Sequence, residues 1–376
     1  MPWCGHLEVT RHNGTVPAIP RCMWKDRLQE SLQRLSEQDP IGLDGSASAS
    51  WRATLLQARR YSRIFVLQPE EAVAREVLQQ RLESDAVVLK LYHVVQAKRR
   101  QQEFDDLETV QRLCGLHLKK TVVRPLTVYA DLGAVMTVRA VGQPAAPLMQ
   151  RACRRRASAE QMAESAALCT RAGMWLAAFQ QAQPPLLDRC SPHLATGEDF
   201  VGYVETRLRH MQQQPFRLSE ALLTRTLQVL RQALEDEEVL RPTTWSHSDF
   251  GPHNLLGDAT HLTVLDFELM PQHPWFDAAY FVESLAGYQG PRYRSTSVDR
   301  LQRVFLSGYG LTGTETLFLA LRIRHLVCTA ASLRAQRTLL PMRNWPDHWM
   351  LQNRLARLVR QLEMAHTGQS APVQMA

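Results

Sequence analysis

The stretch of sequence that decides the fold runs from residue 245 to residue 282 and reads WSHSDFGPHNLLGDATHLTVLDFELMPQHPWFDAAYFV. Within it, Asp249 and Asn254 belong to the spacing HxDxxxxN, and Asp266 follows at the end of the apolar run LTVL. From average residue usage, a random chain of this length would contain this combination only on the order of once in a thousand. The pattern therefore indicates a site with a chemical task.

These residue types are the ones that phosphoryl transfer from ATP requires, because such a transfer depends on position and charge more than on covalent chemistry by the protein. A carboxylate must orient the attacking hydroxyl and accept its proton, and we assign this catalytic role to Asp249. Magnesium prefers oxygen ligands, which Asp266 and Asn254 can supply. Asp249 and Asn254 are predicted to lie at the two ends of one tight loop that contains Gly251 and Pro252. A structural role, hydrogen bonding within the loop and packing on the Phe that follows Asp266, is predicted for the histidine that opens the motif.

The segment resembles the aminoglycoside phosphotransferase and choline kinase superfamily, whose members share the bilobal fold of the protein kinases. The resemblance implies an α+β fold with a small antiparallel β-sheet N-lobe and a large, mainly helical C-lobe. It also implies that ATP binds between the lobes with Mg²⁺ and that the γ-phosphate passes to a hydroxyl of a small molecule. Asp249 matches the catalytic aspartate of the family, and Asn254 and Asp266 match its metal-binding residues. Glu268 stands where protein kinases have glycine, as it does in choline kinases.

Lys90 resembles the lysine that binds the α- and β-phosphates of ATP in this family. It lies in the apolar run AVVLKLY, a predicted strand in which a charged side chain must be paired. Three acids of the following helix compete for the pairing. Alignment of the helix by its apolar positions favours Asp106, whereas a glutamate, Glu103 or Glu108, is the usual choice of the family, so the partner stays open.

The predicted phosphate loop departs from the kinase pattern. No glycine occurs between Gly45 and Gly115, whereas protein kinases cover ATP with a glycine-rich turn whose bare backbone approaches the phosphates. The candidate turn is QPEE at 68–71 or a turn nearby, with acids where phosphate would lie. Two alternatives to a small-molecule kinase therefore remain: a kinase-shaped pseudoenzyme that binds a nucleotide or a partner without phosphoryl transfer, and a transferase that modifies a protein side chain or transfers adenylate.

Two further groups have two interpretations each. Asp277 resembles the aspartate that opens the next helix of the family and holds the catalytic loop, but it also suits an ordinary acid at a helix N-terminus. Arg322, Arg324 and His325 fall on one predicted helix, where they line the acceptor pocket or form a solvated or carbonyl-capping face. In the first case they favour a sugar, a phosphorylated sugar or a glycolipid head group over a polycationic aminoglycoside.

Apolar periodicity predicts a chain of three parts, which are an N-terminal extension and linker (1–50), a nucleotide-binding N-lobe (51–142) and a C-lobe with the catalytic loop and acceptor pocket (143–376). The extension holds one helix, 24–35, and the linker GLDGSASAS. The N-lobe has β-type segments RIFVLQ, AVAREVLQQ and AVVLKLY, then one helix, then strands in TVVRPLTVY and GAVMTVRAV. Helices of the C-lobe are predicted over 158–181, 198–213, 217–238, 276–287, 295–309, 313–337 and 345–366.

Composition sets the broad class of protein. The chain has 376 residues, of which 45% are hydrophobic and 22% are charged, as is ordinary for a globular protein. No run approaches the roughly 18 apolar residues of a membrane helix, so we expect a cytoplasmic protein without a membrane span, and peripheral membrane contact stays open. Seven scattered cysteines without a CxxC pair are expected to be reduced. The net charge of +7 lies in short runs without interleaved aromatics, which does not indicate a nucleic-acid partner.

Overall fold

Alternating apolar residues form strands in the first part of the chain, and helical periodicity dominates the remainder. The computed structural model describes residues 21–42, 50–59, 62–93, 95–114, 116–183, 196–212, 218–235, 243–288, 292–336 and 345–368. Most of the predicted linker GLDGSASAS, residues 43–49, lies outside the described residues. The chain forms two compact units, one within Met1–Gly142 and Thr263–Phe267 and the other within Gln143–Leu262 and Glu268–Ala376.

The first unit is built on an antiparallel sheet with helices. In chain order its elements are α1 (Arg21–Gln38), β1 (Trp51–Ala58), β2 (Ser62–Pro69), α2 (Ala72–Leu82), β3 (Val87–Tyr92), α3 (Ala97–Leu113), α4 (Leu116–Lys119), β4 (Pro125–Tyr129) and β5 (Ala134–Val138). The five strands pair in the order β1-β2-β3-β5-β4, and every pairing is antiparallel. The predicted antiparallel sheet is confirmed.

The two faces of this sheet differ in chemistry because side chains alternate along each strand. On β3, Leu89 and Leu91 are fully buried, whereas Lys90 between them faces the other side of the sheet. The buried face carries the core, in which Trp24 of α1 and Leu78 of α2 share one cluster with Leu89. The opposite face carries Lys90 between apolar neighbours, since Ile64 and Val135 pair directly with it.

Two predictions for this unit are wrong. The segment AVAREVLQQ is helix α2, not a strand, because Ala74, Leu78 and Leu82 are its buried residues and recur at the spacing of one helix face. The single predicted helix is also wrong, since α1 and α2 pack on the sheet in addition to α3. Strand β1 was not predicted, because nearly all of it is exposed and it lacks an alternating apolar pattern.

The second unit is mainly helical. Its elements in chain order are β6 (Gln143–Pro144), α5 (Ala145–Ala152), α6 (Ala159–Gln181), α7 (Gly197–Gln212), α8 (Glu220–Ala233), β7 (Thr244–Ser246), β8 (Leu255–Gly257), β9 (Leu262–Val264), β10 (Met270–Gln272), α9 (Trp275–Ala286), α10 (Ser295–Tyr309), α11 (Thr316–Gln336) and α12 (Trp345–His366). The chain passes along β9 into the first unit and returns after Phe267. Each helix predicted for this region is observed, and the largest difference is at α8, which ends at Ala233.

Local sequence explains where these helices begin and how they pack. A capping box starts α6, in which the Ser158 hydroxyl accepts from the Gln161 backbone and the Gln161 side chain accepts from the Ser158 backbone. Helices α6 and α10 approach closely because they meet at Gly173 and Gly308, which have no side chain. A Cβ at either position would collide with backbone of the opposing helix. Within the described residues, no helix combines the length and apolar character needed to cross a bilayer. The described cysteines with resolved side chains are free thiols, namely Cys114, Cys153, Cys169 and Cys328.

Candidate active site

The HxDxxxxN loop follows β7 and turns through a 3-10 segment, Pro252–Asn254. Ser248 holds a φ of +66° in this loop, a left-handed conformation that costs a non-glycine residue on the order of 1–3 kcal/mol. The Asn254 backbone N–H donates to the Gly251 carbonyl at 3.0 Å and closes the turn. A Cβ at Gly251 would lie 2.6 Å from Cε1 of His253, so glycine lets the imidazole fold back over the loop.

Three side chains surround the Asp249 carboxylate. The Tyr280 hydroxyl donates to Oδ1 at 2.6 Å, Nδ2 of Asn254 donates to Oδ2 at 2.9 Å, and Nε2 of His253 lies 3.2 Å from both oxygens. The Asp249 side chain is still 39% exposed. The carboxylate is therefore fixed in orientation and open on one side.

The Asp249 carboxylate is ionised at neutral pH. Desolvation opposes its charge, but hydrogen bonds from His253 and Tyr280 more than offset this and lower its pKa to about 2. An acceptor this weakly basic acts mainly by orienting a hydroxyl, since strong proton abstraction favours a pKa near the operating pH. Nδ2 of Asn254 also donates to the Asp249 carbonyl at 3.0 Å, so the amide nitrogen of Asn254 faces Asp249.

Asp277 of α9 holds the loop in place. Its carboxylate accepts from the Ser246 hydroxyl at 2.8 Å and from the backbone N–H groups of His247 at 2.7 Å and Ser248 at 2.9 Å. Asp277 is fully buried, and burial raises its pKa above the ordinary value although these bonds lower it in part. Of the two interpretations of Asp277, the structure supports the one in which it binds the loop, because its bonds go to the loop and not to its own helix end.

His247 has a structural place in the loop. The residue is fully buried, its Nδ1 accepts from the Asp249 backbone N–H at 3.3 Å, and its ring meets Phe250 edge-on at 5.7 Å. The predicted loop hydrogen bond is therefore observed. Packing of His247 on Phe267 stays a prediction.

Lys90 lies at the centre of a second polar cluster, in the first unit. Its Nζ is 3.1 Å from Oε1 of Glu103 on α3 and 2.9 Å from Oδ1 of Asp266. Burial opposes the charge of Lys90, but the Asp266 and Glu103 carboxylates outweigh burial and hold the pKa of the ammonium well above its ordinary value. Glu103 also accepts from the Tyr92 hydroxyl and from Nη1 of Arg100, each at 2.7 Å. The ammonium is thus charged and held by a carboxylate that is itself fixed.

The competition for Lys90 among the acids of α3 is resolved in favour of Glu103. Asp106 is buried one turn further along the helix and accepts from Gln102 at 2.8 Å. Glu108 is exposed. Alignment by apolar positions favours Asp106 because it compares positions along the helix and ignores side-chain length. The longer side chain of Glu103 reaches Lys90 from one turn earlier.

Asp266 interacts with two cations. It has a φ of +55°, and its Oδ2 lies 3.6 Å from Nη1 of Arg59, which follows β1, while Oδ1 meets Lys90. The prediction that QPEE forms the phosphate turn is wrong, because this segment joins β2 to α2. The turn between β1 and β2 is at 59–62, of which residues 60 and 61 lie outside the described residues.

The basic residues of α11 are buried, so the interpretation as a solvated face is wrong. Arg322 is 8% exposed and its Nε lies 2.8 Å from Oε1 of Glu283, which also meets Arg354 at 2.6 Å. The Arg324 guanidinium carbon lies 4.8 Å from the ring centre of Phe276. The positive charge of Arg322 is therefore balanced inside the unit.

His325 makes the carbonyl contact that was one of the two interpretations. Its Nε2 lies 3.0 Å from the carbonyl oxygen of Phe276, and its ring meets Tyr280 edge-on at 5.3 Å. Burial, together with the charge of Arg324, lowers the pKa of His325 well below its ordinary value. The imidazole is therefore neutral and donates to the carbonyl. A place for Arg324 or His325 in an acceptor pocket stays a prediction.

Sequence reasoning missed the roles of Tyr280, His253 and Arg59. Tyr280 follows Asp277 by three residues on α9, so it lies on the same helix face toward the loop. His253 is four residues after Asp249. Both offsets are visible in the sequence, whereas the approach of Arg59 to Asp266 depends on the path of the β1–β2 hairpin.

The comparison with protein families gives this arrangement a context. The sequence profile of the phosphotransferase enzyme family, APH, matches residues 69–315. The chain belongs to this family. The predicted family is thus confirmed, and phosphotransferase is the class of activity that membership indicates.

Solved structures similar to this family member are distant in sequence. A choline/ethanolamine kinase family protein from Mesorhizobium loti aligns with a TM-score of 0.53 at 11% identity, covering 89% of this chain and 100% of its own. An aminoglycoside phosphotransferase from Alicyclobacillus acidocaldarius (TM-score 0.48, 13% identity, coverages 85% and 92%) and a choline kinase from Streptococcus pneumoniae (0.47, 11%, 87% and 99%) also align. None of the curated protein sequences matches the chain. The likeness to the first structure confirms the predicted protein-kinase-like fold.

Proposed function

We propose that this phosphotransferase transfers the γ-phosphate of ATP, with Mg²⁺, to a hydroxyl of a small molecule. The observation that carries the proposal is the Asp249 carboxylate, which is ionised, fixed by Tyr280, His253 and Asn254, and 39% exposed. A charged group held at one position with an open side is what an attacking hydroxyl needs for orientation.

Each site residue receives one role in this proposal. Asp249 accepts a hydrogen bond from the acceptor hydroxyl, orients its oxygen toward the γ-phosphate and takes the proton as the new bond forms. Lys90, charged and held by Glu103, binds the α- and β-phosphates. Residues 51–142 then bind the nucleotide, and residues 143–376 supply the catalytic loop and the acceptor pocket.

The residues that would hold Mg²⁺ are Asn254 and Asp266. An amide oxygen and a carboxylate are hard oxygen ligands of the kind Mg²⁺ prefers. Within the described residues there is no group of three or more acidic, His or Cys side chains placed to hold a metal. In nucleotide sites Mg²⁺ takes one or two protein ligands and completes its shell with phosphate oxygens and water. When bound, the ion neutralises charge on the phosphates.

For the acceptor we propose a sugar, a phosphorylated sugar or a glycolipid head group. The charge argument for this choice no longer includes Arg322, because Glu283 balances it. It rests on the net charge of +7, because Arg324 is buried beside the aromatic rings of Phe276 and Tyr203. A positively charged protein favours such an acceptor over a polycationic aminoglycoside.

The test is acceptor-stimulated release of ADP in the presence of Mg²⁺, measured with sugars, amino alcohols, aminoglycosides and nucleosides. Asp249→Asn should lower turnover at least about 100-fold while ATP affinity is retained. Asp258→Asn is the matched control, because Asp258 bonds only its own turn among the described contacts, and it should leave turnover unchanged. If the protein binds ATP but turns it over with none of these acceptors, the pseudoenzyme is favoured instead. The turn without glycine is the observation that supports that alternative.

A further inference from the structure

The turn between β1 and β2 contains a cation close to the Lys90 cluster. The Arg59 backbone N–H donates to the Ser62 carbonyl at 2.8 Å and closes the hairpin, and Nε of Arg59 donates to Oε1 of Gln57 at 2.9 Å. Its Nη1 lies 3.6 Å from Oδ2 of Asp266. The turn that lacks glycine therefore directs a guanidinium group at the residue proposed to hold the metal.

A β-bulge sets the direction of this side chain. Leu55 pairs with Phe65 and Gln57 pairs with Ile64, so Leu56 is the extra residue. Before the bulge, the odd-numbered residues of β1 share the core face with Phe65. After it, Gln57 shares a face with Ile64, which pairs with Lys90.

The consequence concerns Arg59, two residues after Gln57. Residues two apart on a strand point to the same face, so Arg59 lies on the face that carries Lys90 and not on the face that packs on α1 and α2. If the alternation that begins at Trp51 continued without a bulge, the odd-numbered residues, Arg59 included, would lie on the core face. The bulge therefore moves the odd-numbered residues that follow it from the core face to the face that carries Lys90.

Charge counting shows what Arg59 adds to the cluster. Lys90 and Arg100 are positive and Glu103 and Asp266 are negative, so these four groups balance. Among the described residues of this cluster, Arg59 adds a third positive charge to two negative ones. Its side chain is 36% exposed, which leaves it able to reach a ligand. A polyphosphate carries several negative charges, and a planar guanidinium binds phosphate oxygens in pairs.

We infer that Arg59 is a nucleotide phosphate-binding residue that takes the place of the glycine-rich backbone of other kinases. In the free protein its guanidinium lies against Asp266. With nucleotide present the guanidinium moves from Asp266 to the phosphate oxygens. A cationic side chain thus supplies the attraction that bare backbone N–H groups supply elsewhere. This inference rests on the proposed function, because it names a ligand contact in the same nucleotide site.

The experiment measures equilibrium binding of ADP and of adenosine by calorimetry, so that no turnover is needed. Arg59→Gln removes the charge, and we expect it to weaken ADP binding roughly 10- to 100-fold while adenosine binding is unchanged. Arg52→Gln is the matched control, because Arg52 is an exposed arginine near the other end of β1, and it should bind both ligands like the wild type. Arg59→Lys should retain part of the ADP affinity.

Three results would overturn the inference. Unchanged ADP affinity in Arg59→Gln would show that the side chain does not bind phosphate. Equal weakening of ADP and adenosine would indicate that Arg59 supports the shape of the hairpin instead. If the wild-type protein binds neither ligand, both this inference and the proposed function are wrong. If the wild-type protein turns over ATP and Arg59→Gln binds ADP with normal affinity, only the inference is wrong.

Discussion

At the scale of single residues, hydrogen-bond donors decide how the Asp249 carboxylate behaves. Tyr280 and His253 lower its pKa to about 2, so the group is a weak base whose position matters more than its basicity. The short bond from Tyr280, 2.6 Å to Oδ1, fixes the direction of the carboxylate. Tyr280 is therefore expected to act as a positioning residue.

Tyr280→Phe tests this role. Loss of the hydroxyl leaves the carboxylate free to rotate, so we expect kcat to fall roughly 10-fold with nucleotide KM unchanged. Tyr309→Phe is the control, because the single O–H of Tyr309 is shared between the Gln180 side-chain oxygen and the Pro274 carbonyl and does not reach Asp249. It should lower stability and retain kcat. A parallel fall of kcat in both variants would point to general loosening of the unit.

Glu103→Gln tests the ion pair of Lys90. The amide cannot balance the ammonium, and Arg100 and Tyr92 lose a charged acceptor as well, so we expect nucleotide affinity to fall roughly 10-fold. Glu108→Gln alters an exposed acid of the same helix and should leave affinity unchanged. The measurement is a nucleotide titration of the two variants beside the wild type. Similar affinities for all three proteins would contradict a role for the pair.

At the scale of elements, α9 supports the loop through one side chain. Asp277 accepts three hydrogen bonds from residues 246–248, and these bonds hold the left-handed backbone of Ser248. Asp199 has the same position, third in its helix, at the start of α7, but it is exposed and exchanges hydrogen bonds with Thr196, three residues earlier. Comparison of the two aspartates therefore distinguishes support of the loop, by Asp277, from capping of a helix, by Asp199.

The pair gives a stability prediction. Asp277→Asn should lower the free energy of unfolding by about 2–4 kcal/mol, because a buried charged acceptor of three bonds is lost. Asp199→Asn should cost about 1 kcal/mol or less. Urea unfolding of both variants makes the comparison. Equal losses of unfolding free energy in the two variants would indicate that Asp277 acts only as an ordinary acid at a helix N-terminus.

Elements with a strong pattern of their own were predictable from sequence, and elements defined by their neighbours were not. Helix α6 has its capping box and α10 its apolar face, and both were predicted with nearly correct ends. Strand β1 has no buried stripe, and α2 offers apolar residues at spacings that also suit a strand. In both cases packing on the sheet, which no local pattern records, decides the structure.

The same division applies to the candidate site. Asp249 and Asn254 are five residues apart, so their contact could be predicted from one loop. Tyr280 is 31 residues from Asp249, and Lys90 is 176 residues from Asp266. The residue types pointed to Lys90 and Asp266 but not to Tyr280, and both contacts depend on how distant elements pack. Arg59 could not be predicted at all, because the bulge that orients it has no sequence signal.

At the scale of the whole molecule, buried ionisable groups link stability to pH. His325 is 3% exposed and stays neutral in the folded chain because burial and the charge of Arg324 hold its pKa well below 6.5. In the unfolded chain the same imidazole takes up a proton below about pH 6.5. Unfolding therefore binds a proton in this range. Stability from this residue is complete above pH 6.5 and falls as the pH drops, by about 1.4 kcal/mol per pH unit.

His325→Gln should reduce this dependence. Glutamine can still donate to the Phe276 carbonyl but does not titrate. Between pH 6.5 and pH 5.5 the unfolding free energy of the variant should therefore fall by about 1 kcal/mol less than that of the wild type. Some slope should remain, because burial also lowers the pKa of His273, to about 4. His366→Gln is the control, since His366 is exposed at the end of α12, and it should keep the wild-type slope. Urea unfolding at pH 7.5, 6.5 and 5.5 measures how the unfolding free energy of each protein depends on pH. An equal dependence in His325→Gln and the wild type would mean that the buried imidazole already carries its proton in the folded chain.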